Sequence, residues 1–211
     1  MIYSTRQLAF YIDTSACSGC KACQIACKDK NHLPMGVLWR RVYEVSGGGW
    51  EQSGAAWTHD VFAYTISLSC NHCEHPICVG ICPTTALTKR DDGIVFIDAE
   101  KCMGCRYCSW ACPYGALQFN EGTGQMTKCN FCMDRIDAGL PPSCVAACPM
   151  RVLDYGEQKD LEARYGDQSK IYPLPERRFT EPALCITPHR DSHRASVETA
   201  SLANEEEVKP L

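Results

Sequence analysis

The arrangement of cysteines constrains this chain more than any other feature. Sixteen of its seventeen cysteines fall into four sets of four: Cys17, Cys20, Cys23 and Cys27; Cys70, Cys73, Cys78 and Cys82; Cys102, Cys105, Cys108 and Cys112; and Cys129, Cys132, Cys144 and Cys148. The first and third sets read C-x2-C-x2-C-x3-C, the thiolate run that holds cubane iron–sulfur clusters. The second and fourth keep the opening C-x2-C and the closing C-x3-C around a longer insert. A proline follows the last cysteine in three sets, as Pro83, Pro113 and Pro149, whereas Lys28 takes that place in the first. At four thiolates per cube, the sixteen cysteines match four [4Fe–4S] clusters. Several redox centres in one chain of 211 residues form a wire, which points to electron transfer.

Seventeen cysteines in 211 residues would suit a disulfide-rich secreted protein if metal were ignored. The spacings oppose this, because cysteines two and three apart cannot all pair without strain. The opening MIYSTRQLAFYID has no apolar run long enough for a signal peptide. Structural zinc favours two separated C-x2-C pairs and leaves the third cysteine and the Cys-Pro steps unexplained. The net charge is −4; four oxidised clusters with their thiolates bring it to about −12. Such a protein is a poor nucleic-acid binder. No stretch reaches the length of a membrane span. Arg40 and Arg41 lie internally with no apolar run behind them, so they are not an export signal.

Tyr3 to Asp13 alternates loosely and predicts an opening strand; Cys20 to Lys30 predicts a short helix after the first cysteine loop. Residues 31–60 are mixed, with a turn at Gly47–Gly49, and Val61 to Ser67 predicts a strand. Ala86 to Lys89 and Ile94 to Asp98 flank an Asp-Gly turn and predict a hairpin. The same grammar follows Cys112, with Ala116 to Asn120 and Gln125 to Lys128 around Gly122–Gly124. A unit of strand, cysteine loop, short helix and strand therefore recurs. From about Asp154 the grammar stops, and the Pro-rich residues 165–190 read as an extended strap. Large apolar residues are few, so the clusters are expected to act as core, and without iron the chain is expected not to fold.

In two-cluster ferredoxins the fourth cysteine of a run ligates the partner cube, so the sets must work in pairs. Residues 83–101 separate sets two and three, and residues 113–128 separate sets three and four; these spacings permit either pairing. The segments CSGCKACQIACKD, SLSCNHCEHPICVGICPTTAL, DAEKCMGCRYCSWACPYGALQFN and MTKCNFCMDRIDAGLPPSCVAACP resemble the iron–sulfur subunit of the dimethyl sulfoxide reductase family of molybdopterin oxidoreductases, over roughly residues 5–190. The resemblance implies a nested pairing. Cluster one then takes Cys17, Cys20, Cys23 and Cys148; cluster two Cys27, Cys129, Cys132 and Cys144; cluster three Cys70, Cys73, Cys78 and Cys112; cluster four Cys82, Cys102, Cys105 and Cys108. Lys28 in place of the proline changes the exit of that loop and not ligation.

The expected fold is α+β: two ferredoxin-like modules, each holding two [4Fe–4S] clusters, with an extended C-terminal strap. The inner module covers residues 57–125. The outer is discontinuous, 1–56 plus 126–190, and residues 191–211 are expected to be a disordered tail. Nothing resembles an acid–base or nucleophilic constellation, so the chain is expected not to be an enzyme on its own. Cys185 is left over and reads as a free thiol; His72 and His75 read as packing or hydrogen-bonding groups, since no cysteine is missing for a histidine to replace. Tyr107, Trp110, Tyr114 and Met103 read as shields against water, and Lys101, Arg106 and Lys128 as candidate tuning charges. The resemblance implies a relay between an integral membrane subunit that oxidises quinol and a molybdopterin catalytic subunit. The chain itself spans no membrane; it is held there by its partners, with the periplasmic or extracytoplasmic face preferred to the cytoplasmic. Two alternatives stand beside it. One is a relay for another substrate, such as polysulfide, thiosulfate, an N-oxide or formate. The other is a free polyferredoxin carrier.

Overall fold

A computed structural model describes residues 6–209. The expected first strand begins at Tyr3; its part before Arg6 lies outside the described residues, and β1 runs Leu8–Asp13. The first cysteine loop leads into α1 (Ala22–Lys30). Next come β2 (Arg41–Gly47), the exposed hairpin β3 (Trp50–Ser53) and β4 (Ala56–His59), and β5 (Phe62–Leu68). The second set carries α2 (Ile77–Gly80) and leads to hairpin β6 (Leu87–Lys89) and β7 (Val95–Ile97). The third carries α3 (Tyr107–Ala111) and leads to hairpin β8 (Gln118–Asn120) and β9 (Gln125–Thr127). The fourth brackets α4 (Met133–Asp137) and α5 (Ser143–Ala146). The chain closes with β10 (Leu153–Glu157), α6 (Gln158–Tyr165), β11 (Leu184–Thr187), β12 (Ala200–Leu202) and α7 (Glu205–Val208). The architecture is mixed α+β. Among the described residues no helix is long and apolar enough to cross a membrane.

Two three-stranded sheets frame the cysteine loops. In the first, β1 is central, antiparallel to β10 with Leu8 opposite Glu157, and parallel to β11 with Phe10 opposite Leu184. A strand covered on both faces must be apolar at every position, and β1 from Leu8 to Ile12 is buried throughout. Its alternate residues point to opposite faces. Leu8, Phe10 and Ile12 join the main core, while Ala9 and Tyr11 meet Leu161, Ala183 and Cys185 behind the sheet. In the second sheet, β2 pairs antiparallel with β5 from Arg41–Leu68 to Gly47–Phe62, and β12 takes its other edge.

Three expectations change. The clusters are not the whole core, because Phe10, Ile12, Val42, Phe62, Ile66 and Phe131 belong to one large apolar cluster that also reaches Cys23, Cys129 and Cys144. The division at residue 57 runs through the β2–β5 ladder, and side chains of β5 belong to the same apolar core as those of β1 and β10. The segment after residue 191 is not a disordered tail as far as Lys209. An open strand edge presents unpaired backbone groups, and this segment covers the edge of β2. Ala200 lies opposite Gly47, and the Asn204 amide accepts from Glu44 N at 2.9 Å while donating to the Val42 carbonyl at 2.8 Å. Arg41 Nη1 donates to the Val208 carbonyl at 3.0 Å, and the Val208 side chain is buried.

Candidate metal centres

Each cysteine loop is shaped by the same backbone device. The third residue of every opening C-x2-C has a positive φ: Gly19 at 68°, His72 at 42°, Gly104 at 72° and Phe131 at 60°. Alternation of right- and left-handed residues gathers backbone N–H groups into a concavity suited to an anion or an iron–sulfur cluster. Glycine adopts this conformation freely. Sets two and four use non-glycine residues there, and both are locked inside: His72 and Phe131 are buried and meet edge to face at 5.1 Å. The proline after the last cysteine then limits the helix, since it cannot supply the next N–H. α2, α3 and α5 span four, five and four residues, whereas α1, with Lys28 instead of proline, runs on to nine. The exit of that loop is fixed differently: Lys28 Nζ donates to the carbonyls of Pro34 and Val37 at 2.6 and 3.3 Å.

The loops gather the cysteines into four neighbourhoods. Cys17, Cys20, Cys23 and Cys148 line one cavity, together with Pro149 and Met150. Cys82, Cys102, Cys105 and Cys108 line another, with Met103 at its edge. The sulfurs acting most strongly on Cys27 are those of Cys129, Cys144 and Cys132. Those acting on Cys78 are Cys70, Cys112 and Cys73. We number these cages one, four, two and three in the order just given. Cage two has neighbours in two others, since Cys144 feels the charge of Cys23 from cage one and Cys129 that of Cys70 from cage three. Cages three and four share the short loops Cys78–Cys82 and Cys108–Cys112. None of the cysteines forms a disulfide. Burial, then repulsion from neighbouring thiols, pushes Cys73 and Cys129 up to about 12 and raises Cys27 and Cys78 further.

The donor set fits iron–sulfur cubes. Among the described residues no group of three or more His, Cys, Asp or Glu is arranged to hold a metal ion; a cube asks instead for four thiolates spread over its four irons. Among the same residues, four buried side-chain nitrogens have no partner in the protein: Arg40 Nε, Arg41 Nε, Asn71 Nδ2 and His72 Nε2. Buried donors are rarely left unpaired. Val95 N donates to His72 Nδ1 at 3.0 Å, so a neutral ring carries its proton on Nε2 and this atom too is a donor. Burial, with Lys128, Arg40 and Lys89 nearby, holds the His72 pKa well below its ordinary value. Asn71 and His72 lie between Cys70 and Cys73, and the Arg41 guanidinium donates to the Tyr114 and Gly115 carbonyls just past Cys112. Cluster sulfides are the acceptors that such donors would serve.

The other singled-out residues divide. Lys101 is exposed and paired with Asp98 at 2.8 Å, and Arg106 stacks over Phe119 at 3.6 Å. Lys128 alone of the three is buried, donating to the Val95 and Cys129 carbonyls. Trp110 is 78 % and Met103 67 % exposed, so neither seals its cage within this chain. Tyr114 is partly buried, hydrogen-bonded to Thr180 at 2.9 Å. Cys185 lies in none of the four neighbourhoods; it is buried on β11, where burial pushes its thiol up to about 11.

Sequence reasoning missed Arg40, which is fully buried. Its Nη1 donates to the Ser67 carbonyl and hydroxyl, both at 3.1 Å, and its Nη2 to the Ser69 hydroxyl at 3.0 Å. Burial works against its charge, but Cys144, Cys23, Cys129 and Cys27 more than offset this and raise its pKa above the usual value. The available signal was an Arg pair set between Leu38-Trp39 and the strand residues Val42-Tyr43.

Comparison with known proteins finds a 4Fe-4S dicluster domain family matching residues 61–158. The B subunit of the anaerobic dimethyl sulfoxide reductase of Escherichia coli (strain K12) is 48 % identical over 204 residues, 97 % of this chain and 100 % of that one. Its namesake in Haemophilus influenzae is 44 % identical over 203 residues, 96 % of this chain and 99 % of that one. The thiosulfate reductase electron transfer subunit of Salmonella typhi is 40 % identical over 180 residues, 84 % of this chain and 91 % of that one.

Proposed function

The protein belongs to the family of iron–sulfur B subunits of anaerobic dimethyl sulfoxide reductases, and on that premise we propose that it relays electrons through four [4Fe–4S] clusters between a quinol-oxidising membrane anchor and a molybdopterin catalytic subunit. What supports this reading most is that cysteines far apart in sequence line common cavities, Cys148 with Cys17, Cys20 and Cys23 in one and Cys82 with Cys102, Cys105 and Cys108 in another. Likewise, Cys129, Cys144 and Cys132 act on Cys27, and Cys70, Cys112 and Cys73 on Cys78. Cluster one is held by Cys17, Cys20, Cys23 and Cys148, and cluster two by Cys27, Cys129, Cys132 and Cys144. Cluster three is held by Cys70, Cys73, Cys78 and Cys112, and cluster four by Cys82, Cys102, Cys105 and Cys108. Each bound cluster supplies a centre that takes up and releases one electron at a time. The chain's own residues hold the cubes in order, exclude water from the inner cages and supply the N–H donors around them.

The two ferredoxin-like units of this reading divide as follows. The inner is residues 70–128, built on Leu87, Val95, Leu117 and Met126. The outer is framed by the two three-stranded sheets. Its partners hold the chain at the membrane, on the extracytoplasmic face in preference to the cytoplasmic. The thiosulfate reductase relative supports a second reading, the same relay serving another terminal reaction. Assaying the complex with a chemical electron donor against dimethyl sulfoxide and thiosulfate separates the two.

The test is anaerobic purification of the intact complex from solubilised membranes. This subunit is expected to contribute about sixteen iron and sixteen sulfide, with no stoichiometric zinc; eight irons, or zinc with intact cysteines, overturns the four-cube reading. The pairing is tested by paramagnetic resonance. Cys148→Ser is expected to lose the same signal as Cys17→Ser. If it matches a variant of Cys102 instead, the nested assignment fails.

A further inference from the structure

Arg40 is a permanent charge with no permanent partner. A guanidinium stays protonated in proteins, and burying an unpaired ion is strongly unfavourable. Yet the side chain is 1 % exposed. Its hydrogen-bond acceptors are neutral: the Ser67 carbonyl, the Ser67 hydroxyl and the Ser69 hydroxyl. Its Nε–H has no acceptor in the protein. The Phe10 ring, 4.8 Å from the guanidinium carbon, adds a weak quadrupole attraction. The charges acting most strongly on it are four cysteine sulfurs, with no carboxylate among them. Cys23 belongs to cage one, and Cys144, Cys129 and Cys27 to cage two. The Ser67 hydroxyl that the guanidinium holds lies 3.2 Å from Cys23 Sγ, which ties Arg40 directly to cage one.

We propose that Arg40 is the shared counter-ion of clusters one and two, a positioning charge that raises the reduction potential of both. A cube with its four thiolates is already anionic and gains one more negative charge on reduction. A fixed cation at the junction favours the reduced state of each, and its free Nε–H adds a donor toward sulfur, which acts in the same direction. Ser67 and Ser69 lock the guanidinium in place. Arg40 reaches cage three only through the neutral Ser69 hydroxyl beside Cys70, and none of its contacts reaches cage four, so cluster four serves as the internal control. The inference rests on the four-cube reading, which the wild-type iron content tests separately.

The experiment is a redox titration of the intact complex followed by paramagnetic resonance, for wild type, Arg40→Gln and Arg40→Lys, with iron determined on each. The signals of clusters one and two are identified as those lost in Cys17→Ser and Cys27→Ser. In Arg40→Gln the equilibrium constant for reducing each of these two clusters is expected to fall about tenfold or more, which is 59 mV for one electron. Cluster four is expected to stay unmoved and cluster three to shift less than the pair, and Arg40→Lys to restore the pair to within about threefold. Four unchanged potentials in iron-replete Arg40→Gln overturn the proposal. So does a shift that Arg40→Lys shares in full, or one spread over all four clusters. If Arg40→Gln holds less iron, the comparison is read on occupancy. Loss confined to the pair and restored by Arg40→Lys supports the counter-ion; loss not restored, or loss from all four, overturns it. Full iron in wild type with insensitive potentials defeats this inference alone, whereas deficient iron in wild type defeats the four-cube reading first.

Discussion

Removal of iron is expected to unfold residues 70–128 outright while leaving residual structure in β2 and β5. The inner unit has helices of four and five residues and strands of three. Helices that short are not stable alone, and an isolated two-stranded hairpin is marginal at best. Its buried apolar cluster has six members, two of which are Cys78 and Cys108. A structural metal site contributes on the order of 10 kcal/mol to folding, comparable with the whole stability of a domain. The outer unit has more to lean on, since β2 and β5 share seven residue pairs and bury Val42, Val45, Phe62 and Ile66. Chelation under reducing conditions, followed by amide hydrogen exchange, checks the difference. Exchange in β6 to β9 is expected to become unprotected first and completely. Protection persisting there after full chelation would show that the protein, not the metal, holds that unit together.

Gly104→Ala is expected to cost the protein one cluster of its four. Gly104 lies in the loop between Cys102 and Cys105 with φ at +72°, and an added Cβ would sit 2.1 Å from the Gly124 carbonyl oxygen. The left-handed conformation alone costs a non-glycine residue about 1–2 kcal/mol. The clash adds to that and falls on backbone, so either the cysteine loop or the β8–β9 turn must move. Iron is expected to drop from about sixteen to about twelve, with the signal of cluster four lost. Gly124→Ala is the control: φ is +67° there too, but the added Cβ meets nothing within 4 Å. It carries the conformational cost without the clash and is expected to keep full iron. Equal iron in both variants would mean that the close approach at Gly104 is not what holds the loop.

What could be read before folding was local. The cysteine sets, the helix after the first of them and the two hairpins with their glycine turns all lie within short windows. Their boundaries shift by only a residue or two between sequence and structure; the expected strand from Val61 to Ser67, for example, is found at Phe62–Leu68. What escaped was long-range. No local pattern tells β1 that its neighbours are Leu153–Glu157 and Leu184–Thr187. The Ala200–Leu202 strand is too short and polar to announce itself, and it forms because β2 offers an edge. Arg40 failed for a related reason: a buried cation is recognisable only once the sulfurs around it are known to converge.

The threading of the sheets sets an order of events at the ribosome. Strand β1 is made well before either of its partners, which lie beyond residue 152, and the cavity lined by Cys17, Cys20 and Cys23 lacks its fourth wall until Cys148 is made. The stretch from Cys70 to Cys112 contains every cysteine of cage three, and Cys82 to Cys108 every one of cage four. During synthesis from the N-terminus, the middle of the sequence can therefore accept its metal while the first cysteines are still waiting. Maturation is expected to proceed from the centre outward, and a polypeptide truncated before residue 148 to leave the thiols of the first set as the ones without a home.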